Sequence, residues 1–138
     1  MIHTVWETKN RFPFLNDNIK TTIHEHIKEN ASKKNIFIDT INGVEDHVHA
    51  LLGLNADLSI SKTLQLLKGE ASFWINNNSL TKSHFGWADD YYAESVSRDQ
   101  IQVVRNYINN QVEHHRKKTF QEEVDEFLLK YNLKKLQG

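Results

Sequence analysis

The stretch NIFIDTINGVEDHVHALLGL, residues 35–54, combines two segments of strand character around a turn sequence. β-Branched residues recur across residues 35–42, and a second, largely apolar segment covers residues 47–54. Between them stands Asn42-Gly43, a dipeptide typical of tight hairpin turns. The stretch therefore predicts two antiparallel strands joined by a turn at Asn42-Gly43.

Helices are predicted on both sides of this hairpin. Ile19, Ile23 and Ile27 recur at four-residue spacing, which indicates an amphipathic helix. Ser59 or Ser61 is suited to cap the helix that follows the hairpin. Two further strands are predicted over 2–9 and 91–96, and a loop over 79–90. The four predicted helices cover 17–30, run from 59 or 61 to 76–78, run from 97 or 99 to about 117, and cover 120–131.

The predicted order is β-α-β-β-α-β followed by two helices. This order is typical of the α+β, ferredoxin-like (split β-α-β) fold, in which helices pack on one face of an antiparallel sheet. We expect residues 1–138 to form a single domain in which the C-terminal helices carry Tyr107. Because this fold has many functions, function has to be argued from particular side chains.

Composition restricts the class of protein. The chain has 138 residues, of which 38% are hydrophobic and 25% charged, so a single globular domain is expected. It has no cysteine, which excludes disulfides and thiolate metal sites. No apolar run approaches the ~20 residues that cross a bilayer, and residues 1–6 do not resemble a signal peptide. We therefore expect a cytoplasmic protein without a membrane partner.

The net charge of −1 is low for a protein that binds nucleic acid. Charge is unevenly distributed, however, because Lys9 and Arg11 lie close together and residues 114–118 form a basic run. A local phosphate-binding region is compatible with this pattern, and so is an ordinary solvated surface.

The first candidate group for chemistry is Asp46-His47-Val48-His49. Side chains two residues apart on a strand point to the same face, so His47 and His49 are expected to project together. Two neutral imidazoles side by side are suited to bind a metal. Asp46 is suited either to bind the metal or to orient a histidine. A chance or solvent-facing structural pair of histidines explains this short pattern equally well.

The second candidate group is Tyr107 with Gln111 on the helix after the fourth strand. Residues four apart share one side of a helix. Both lie beside the apolar stripe that includes Ile101 and Ile108, so neither is a natural core residue. Tyrosine is a competent nucleophile when a metal polarises the group it attacks. The alternative is a boundary tyrosine that anchors the helix.

Together these groups resemble the single-tyrosine HUH transposases, which include small insertion-sequence transposases and REP-associated tyrosine transposases. HUH denotes His-hydrophobe-His, here His47-Val48-His49. The resemblance covers nearly the whole chain, and a histidine pair followed by a Tyr-Ile-x-Asn-Gln helix is more specific than the pair alone. The other matching segments are residues 4–9, 66–69, Ser72, Trp74, 91–92, 95–97, 107–108, 110–111, 113–115, Phe120 and 122–123.

The resemblance implies an enzyme that cuts and rejoins single-stranded DNA. It implies that His47, His49 and Gln111 bind a divalent metal, Mg²⁺ or Mn²⁺, and that Tyr107 attacks a phosphodiester to form a 5′-phosphotyrosine link. Such a cation prefers oxygen ligands with some imidazole. A covalent intermediate retains the bond energy, so that rejoining needs no nucleotide cofactor.

The resemblance also implies a homodimer that recognises DNA hairpins. The sequence leaves open whether Tyr107 acts on its own chain or on its partner. Trp87 or Phe85 is available to stack on bases, and Tyr91, Tyr92 and Tyr131 are the alternative tyrosines. Cations suited to phosphate contacts are Lys9, Arg11, Lys62, Lys68, Arg98 and Arg105.

Three other interpretations are compatible with the sequence. One is a domesticated relative that binds nucleic-acid hairpins without cutting them. Another is a minimal replication initiator or relaxase-type nickase, although those proteins generally carry additional domains. The third is a ferredoxin-like interaction module that does not bind metal.

Overall fold

The computed structural model describes residues 1–111, 122 and 135–137. It confirms the α+β fold and the predicted β-α-β-β-α-β order. The predicted helix over 120–131, and the end of the one predicted to reach about 117, fall largely outside the described residues. The elements are β1 (Ile2–Thr8), α1 (Lys20–Lys33), β2 (Phe37–Val44), β3 (His47–Gly53), α2 (Ile60–Asn77), β4 (Trp87–Ser95), α3 (Ile101–Asn109) and β5 (Lys135–Gln137), with short 3₁₀ helices at Lys9–Arg11 and Arg98–Gln100.

The strands form one sheet in the order β2-β3-β1-β4-β5, and each neighbouring pair is antiparallel. The order of the first four strands is the one expected for a split β-α-β fold. β5 was not predicted, and it extends the sheet by pairing with residues 90–92 of β4.

The two faces of the sheet carry different kinds of side chain, because successive residues of a strand point to opposite sides. Trp6, Val48, Ala50 and Leu52 pack with α1 and α2 in the main hydrophobic core. On the opposite face, Leu51 packs with Val96, Val104 and Ile108, so α3 covers that side. The two helices of the β-α-β-β-α-β unit thus share one face, as predicted, and the tyrosine helix lies on the other.

The predicted turn at Asn42-Gly43 is wrong. Both residues belong to β2, where they pair with His49 and Val48, and the two-residue turn is Glu45-Asp46. Gly43 is required for another reason: a Cβ at this position would lie 2.2 Å from the carbonyl oxygen of His47. The glycine therefore permits close approach of the two backbones next to the turn.

β4 begins earlier than predicted, at Trp87 instead of residue 91. Asp89-Asp90 resembles a turn sequence, but pairing of Thr8 with Trp87 extends the strand through it. Phe85, just before the strand, is 1% exposed in the main core. It is therefore unavailable for base stacking.

The helix starts are confirmed at one position and not at another. Ser59 accepts a hydrogen bond from the backbone N–H of Lys62 and caps α2. Near α3, Ser97 Oγ instead donates to Asp99 Oδ1, and neither side chain caps the helix. A 3₁₀ turn leads into α3 in place of a capped start.

Candidate active site

Three histidines lie together on the face of the sheet that α3 covers, which we call the histidine face. His47 and His49 come from β3, and His3 comes from the neighbouring β1. All three are buried, with 0–2% of their surface exposed. The prediction that His47 and His49 share a face is confirmed, whereas the alternative of a solvent-facing pair is wrong. His3 was not identified from the sequence.

The imidazole of His47 is held between Asp46 and Gln111. Its Nδ1 lies 2.8 Å from Asp46 Oδ1, and because a carboxylate only accepts, Nδ1 carries the hydrogen. Its Nε2 lies 3.3 Å from Gln111 Oε1. The amide nitrogen of Gln111 donates to the carbonyl of Tyr107 at 3.2 Å, which turns the amide oxygen toward His47. With the hydrogen on Nδ1, the Nε2 lone pair of His47 and the amide oxygen of Gln111 face each other.

The imidazole of His49 contacts His3 on the adjacent strand. His3 Nε2 and His49 Nδ1 are 3.1 Å apart. Burial lowers the pKa of His3 to about 3, so His3 is neutral at physiological pH. Glu94 is the cross-strand neighbour of His3 on β4, and burial raises the pKa of its carboxyl to about 7.

Tyr107 lies over these histidines in the same chain. Its ring centroid is 5.6 Å from that of His49 and 6.1 Å from that of His3, both in edge-to-face geometry. The side chain is half-buried, and Gln111 follows it one helical turn later, as predicted. One chain thus brings Tyr107, His47, His49 and Gln111 together.

The alternative tyrosines differ in position. Tyr91 belongs to the main core and pairs with Trp6, which removes it from the site. Tyr92 pairs with Val5 on the histidine face and is half-buried. Tyr131 lies outside the described residues.

Strand β2 fastens α3 to the sheet through two polar contacts, which we call the helix clasp. A bulge at Asp39 interrupts the β2–β3 register, and Asp39 receives the guanidinium of Arg105 at 2.8 and 2.6 Å. This hydrogen bond is the main reason that the pKa of Asp39 is lowered. Asn42 Nδ2 donates to the carbonyls of Ile108 and Asn109 at 3.0 and 3.3 Å. The clasp holds the helix on both sides of Tyr107.

A model of the family described as "Transposase IS200 like" matches residues 1–111. The chain belongs to the IS200-like transposases. Comparison with curated proteins gives no match.

Two solved structures have the same fold as this IS200-like transposase. One is a protein assigned as a transposase from Deinococcus radiodurans R1, with a TM-score of 0.63, 23% identity, and coverage of 80% of this chain and 88% of that chain. The other is a REP-associated tyrosine transposase bound to a REP hairpin, with a TM-score of 0.63, 12% identity, and coverage of 83% and 67%.

The six cations predicted to contact phosphate do not form one patch in this IS200-like transposase. Lys62 and Lys68 belong to α2 on the far face, and Lys68 donates to the carbonyl of Ala88 at 2.7 Å. Arg11 lies 3.9 Å from both Glu7 and Asp46, at the edge of the histidine face. Lys9 and Arg98 are exposed in the two 3₁₀ helices. The guanidinium of Arg105 is already engaged in the helix clasp.

The donor set around His47 fits a hard divalent cation. No group of three or more His, Cys, Asp or Glu side chains in residues 1–111, 122 and 135–137 is arranged to hold a metal. Gln111, which is not one of those residue types, presents its amide oxygen to His47 Nε2. Two imidazole nitrogens and one amide oxygen suit Mg²⁺ or Mn²⁺ with further positions for water and phosphate.

None of the helices in the described part of the transposase combines the length and apolar character needed to span a bilayer.

We expect Arg105→Ala and Asp39→Ala to lower DNA cleavage by similar factors, roughly tenfold, because small misplacements of a reacting group slow catalysis by one to two orders of magnitude. If Arg105 instead contacts phosphate, Asp39→Ala should raise the cleavage rate and not lower it, because removing the carboxylate would release the guanidinium for DNA. Single-turnover cleavage rates and the salt dependence of DNA binding measure both roles. A salt slope reduced by about one in Arg105→Ala would favour the phosphate contact.

Proposed function

We propose that this IS200-like transposase cuts and rejoins single-stranded DNA with Tyr107 as the nucleophile. The proposal is supported chiefly by one juxtaposition: Tyr107 lies beside His49, and Gln111, four residues later, faces His47. His47 and His49 come from β3, Tyr107 comes from α3, and Gln111 lies two residues beyond α3, so only the fold brings these four side chains together. A nucleophile next to a cluster of metal-ligand type is suited to phosphoryl transfer.

In the cleavage step, Tyr107 Oη attacks a backbone phosphorus. An oxygen–phosphorus bond forms to the tyrosine, and the bond from phosphorus to the 3′ oxygen breaks. The tyrosine loses its proton to solvent or a nearby base, and the departing 3′ oxygen gains one to become a 3′-hydroxyl. Rejoining is the reverse: another 3′-hydroxyl attacks the phosphotyrosine and releases Tyr107. The number of phosphodiester-type bonds is conserved, so neither step needs an energy source.

We assign the divalent cation to His47 Nε2, His49 Nε2 and Gln111 Oε1. Dependence on such a cation is general in this family. When bound, Mg²⁺ or Mn²⁺ would supply positive charge to the phosphate oxygens as the tyrosine attacks. Asp46 orients His47 through its Nδ1, and α3 sets the position of Tyr107 relative to both histidines.

The proposed substrate is a DNA strand with hairpin ends, and the proposed assembly is a homodimer in the cytoplasm. One structural relative is bound to a REP hairpin, which supports hairpin recognition as the working model for this chain. Exposed Lys9, Lys62 and Arg98 and the partly exposed Arg11 are candidate phosphate contacts.

The test is covalent capture on oligonucleotides from the DNA that flanks the gene. Each strand is incubated with the purified protein and Mn²⁺ or Mg²⁺, with and without EDTA, and resolved on a denaturing protein gel. Trypsin places the candidate tyrosines on different peptides. Tyr107 lies in the peptide of residues 106–116, Tyr91 and Tyr92 lie in 83–98, and Tyr131 lies in 131–134. We expect a metal-dependent band whose nucleotide adduct maps by mass spectrometry to residues 106–116.

An adduct on another tryptic peptide would overturn the assignment of Tyr107. Hairpin binding without a covalent band on any flanking strand, in protein that binds Mn²⁺, would instead favour a non-cutting hairpin-binding protein. Cleavage that needs no hairpin would favour the replication-initiator or relaxase type of nickase.

A further inference from the structure

His3 has no role in the function proposed above, yet it lies at the centre of the histidine face. It is 1% exposed, and its Nε2 is 3.1 Å from Nδ1 of His49. The two residues are 46 positions apart in sequence and meet only because β1 and β3 are neighbours. A buried polar side chain in the midst of a strand is costly unless its hydrogen bonds are made, so the contact calls for an explanation.

The tautomer of His49 provides that explanation. A neutral imidazole carries one hydrogen, on Nδ1 or on Nε2. His49 can offer Nε2 to a metal only if the hydrogen is on Nδ1, and a buried Nδ1–H needs an acceptor. His47 has such an acceptor in Asp46 Oδ1, at 2.8 Å from its Nδ1. His3 Nε2 occupies the equivalent position for His49.

We propose that His3 is a positioning residue that accepts the Nδ1 hydrogen of His49 and so keeps hydrogen off His49 Nε2, the nitrogen assigned to the divalent metal. The proposal rests on the function proposed above, because it takes His49 as a ligand. The two ligand histidines then have acceptors of different charge, a carboxylate for His47 and an imidazole for His49.

The geometry separates this role from direct metal binding. The Nε2 of His3 faces Nδ1 of His49, the nitrogen opposite to the one assigned to the metal. The same His3 ring also packs edge-to-face against Tyr107, with centroids 6.1 Å apart. His3 therefore contacts both the His49 ring and the Tyr107 ring.

Three variants test the role by Mn²⁺ affinity without DNA, measured by electron paramagnetic resonance. His3→Phe retains a ring but cannot accept a hydrogen bond, and we expect Mn²⁺ affinity to fall by roughly 10- to 100-fold, as for other outer partners of metal ligands. His3→Gln restores an acceptor oxygen and is expected to stay within about threefold of wild type by the same argument. His24→Phe is the matched control, because His24 is also buried but lies on α1 in the opposite layer.

A second measurement needs no variant. In Mg²⁺-loaded wild-type protein, long-range ¹H–¹⁵N correlation spectra report which nitrogen of each imidazole carries hydrogen. We expect Nδ1–H for His49 and an unprotonated Nε2 for His3. Hydrogen on His3 Nε2, or unchanged Mn²⁺ affinity in a folded His3→Phe protein, would overturn the proposal.

His49→Ala distinguishes failure of this proposal from failure of the proposed function. If His49→Ala lowers Mn²⁺ affinity and His3→Phe does not, only the positioning role fails. If His49→Ala has no effect either, the metal site itself is wrong, and the His3 proposal fails with it.

Discussion

Replacing Tyr107 by phenylalanine is expected to abolish the covalent protein–DNA complex, with a loss of at least about four orders of magnitude in cleavage rate, as for other nucleophile deletions. The change removes only Oη and keeps the ring that packs against His49 and His3. The fold, Mn²⁺ affinity and hairpin binding should therefore stay close to wild type. The measurements are single-turnover cleavage and DNA binding by the same preparation.

Tyr92→Phe provides the matched control. Tyr92 is a half-buried tyrosine on the same histidine face, but it comes from β4 and has no glutamine four residues later. We expect Tyr92→Phe to retain activity within about threefold, since it lies outside the proposed constellation. If Tyr107→Phe forms the covalent band at the wild-type rate and Tyr92→Phe does not, the nucleophile is Tyr92.

The second large effect is expected for His47→Ala and His49→Ala. Each removes one of three proposed metal ligands, so Mn²⁺ affinity should fall at least about 100-fold, more than for an outer partner of a ligand. Cleavage should be lost at low Mn²⁺ and recover partly when Mn²⁺ is raised, because the nucleophile and Gln111 remain. Isothermal titration calorimetry and cleavage across a Mn²⁺ series measure the two effects.

His26→Gln is the control for general effects of removing a histidine. His26 lies on α1, where it stacks on Trp74 and contacts Glu70 at 2.8 Å, on the layer opposite the histidine face. Its replacement should leave Mn²⁺ affinity and cleavage unchanged. Wild-type Mn²⁺ affinity in both His47→Ala and His49→Ala would exclude this site as the metal centre.

The parts of the site that could be predicted from the sequence depend on local periodicity. His47 and His49 share a face because a strand alternates, and Tyr107 and Gln111 share a side because a helix repeats near four residues. Both relations hold whichever elements become neighbours in the fold. The order of strands and helices was predictable for the same reason.

Contacts between distant residues could not be predicted in this way. The His3–His49 contact requires knowing that β1 and β3 are adjacent in register, and the Asp39–Arg105 pair joins residues 66 positions apart through a bulge. The turn at Glu45-Asp46 was missed because Asn42-Gly43 has the stronger local turn sequence. Its glycine serves instead the close approach to His47.

Burial of polar side chains on the histidine face lowers the free energy of unfolding, whereas the opposite face of the sheet buries mainly hydrophobic side chains. His3, His47, His49 and Gln111 are nearly fully buried where hydrophobic side chains would pack without a need for polar partners. Functional sites commonly retain such groups at the expense of stability. A descendant of this protein released from selection for catalysis could exchange these side chains for apolar ones and become more resistant to unfolding. Inactive copies that persist in a genome would then be recognisable by a more hydrophobic third strand.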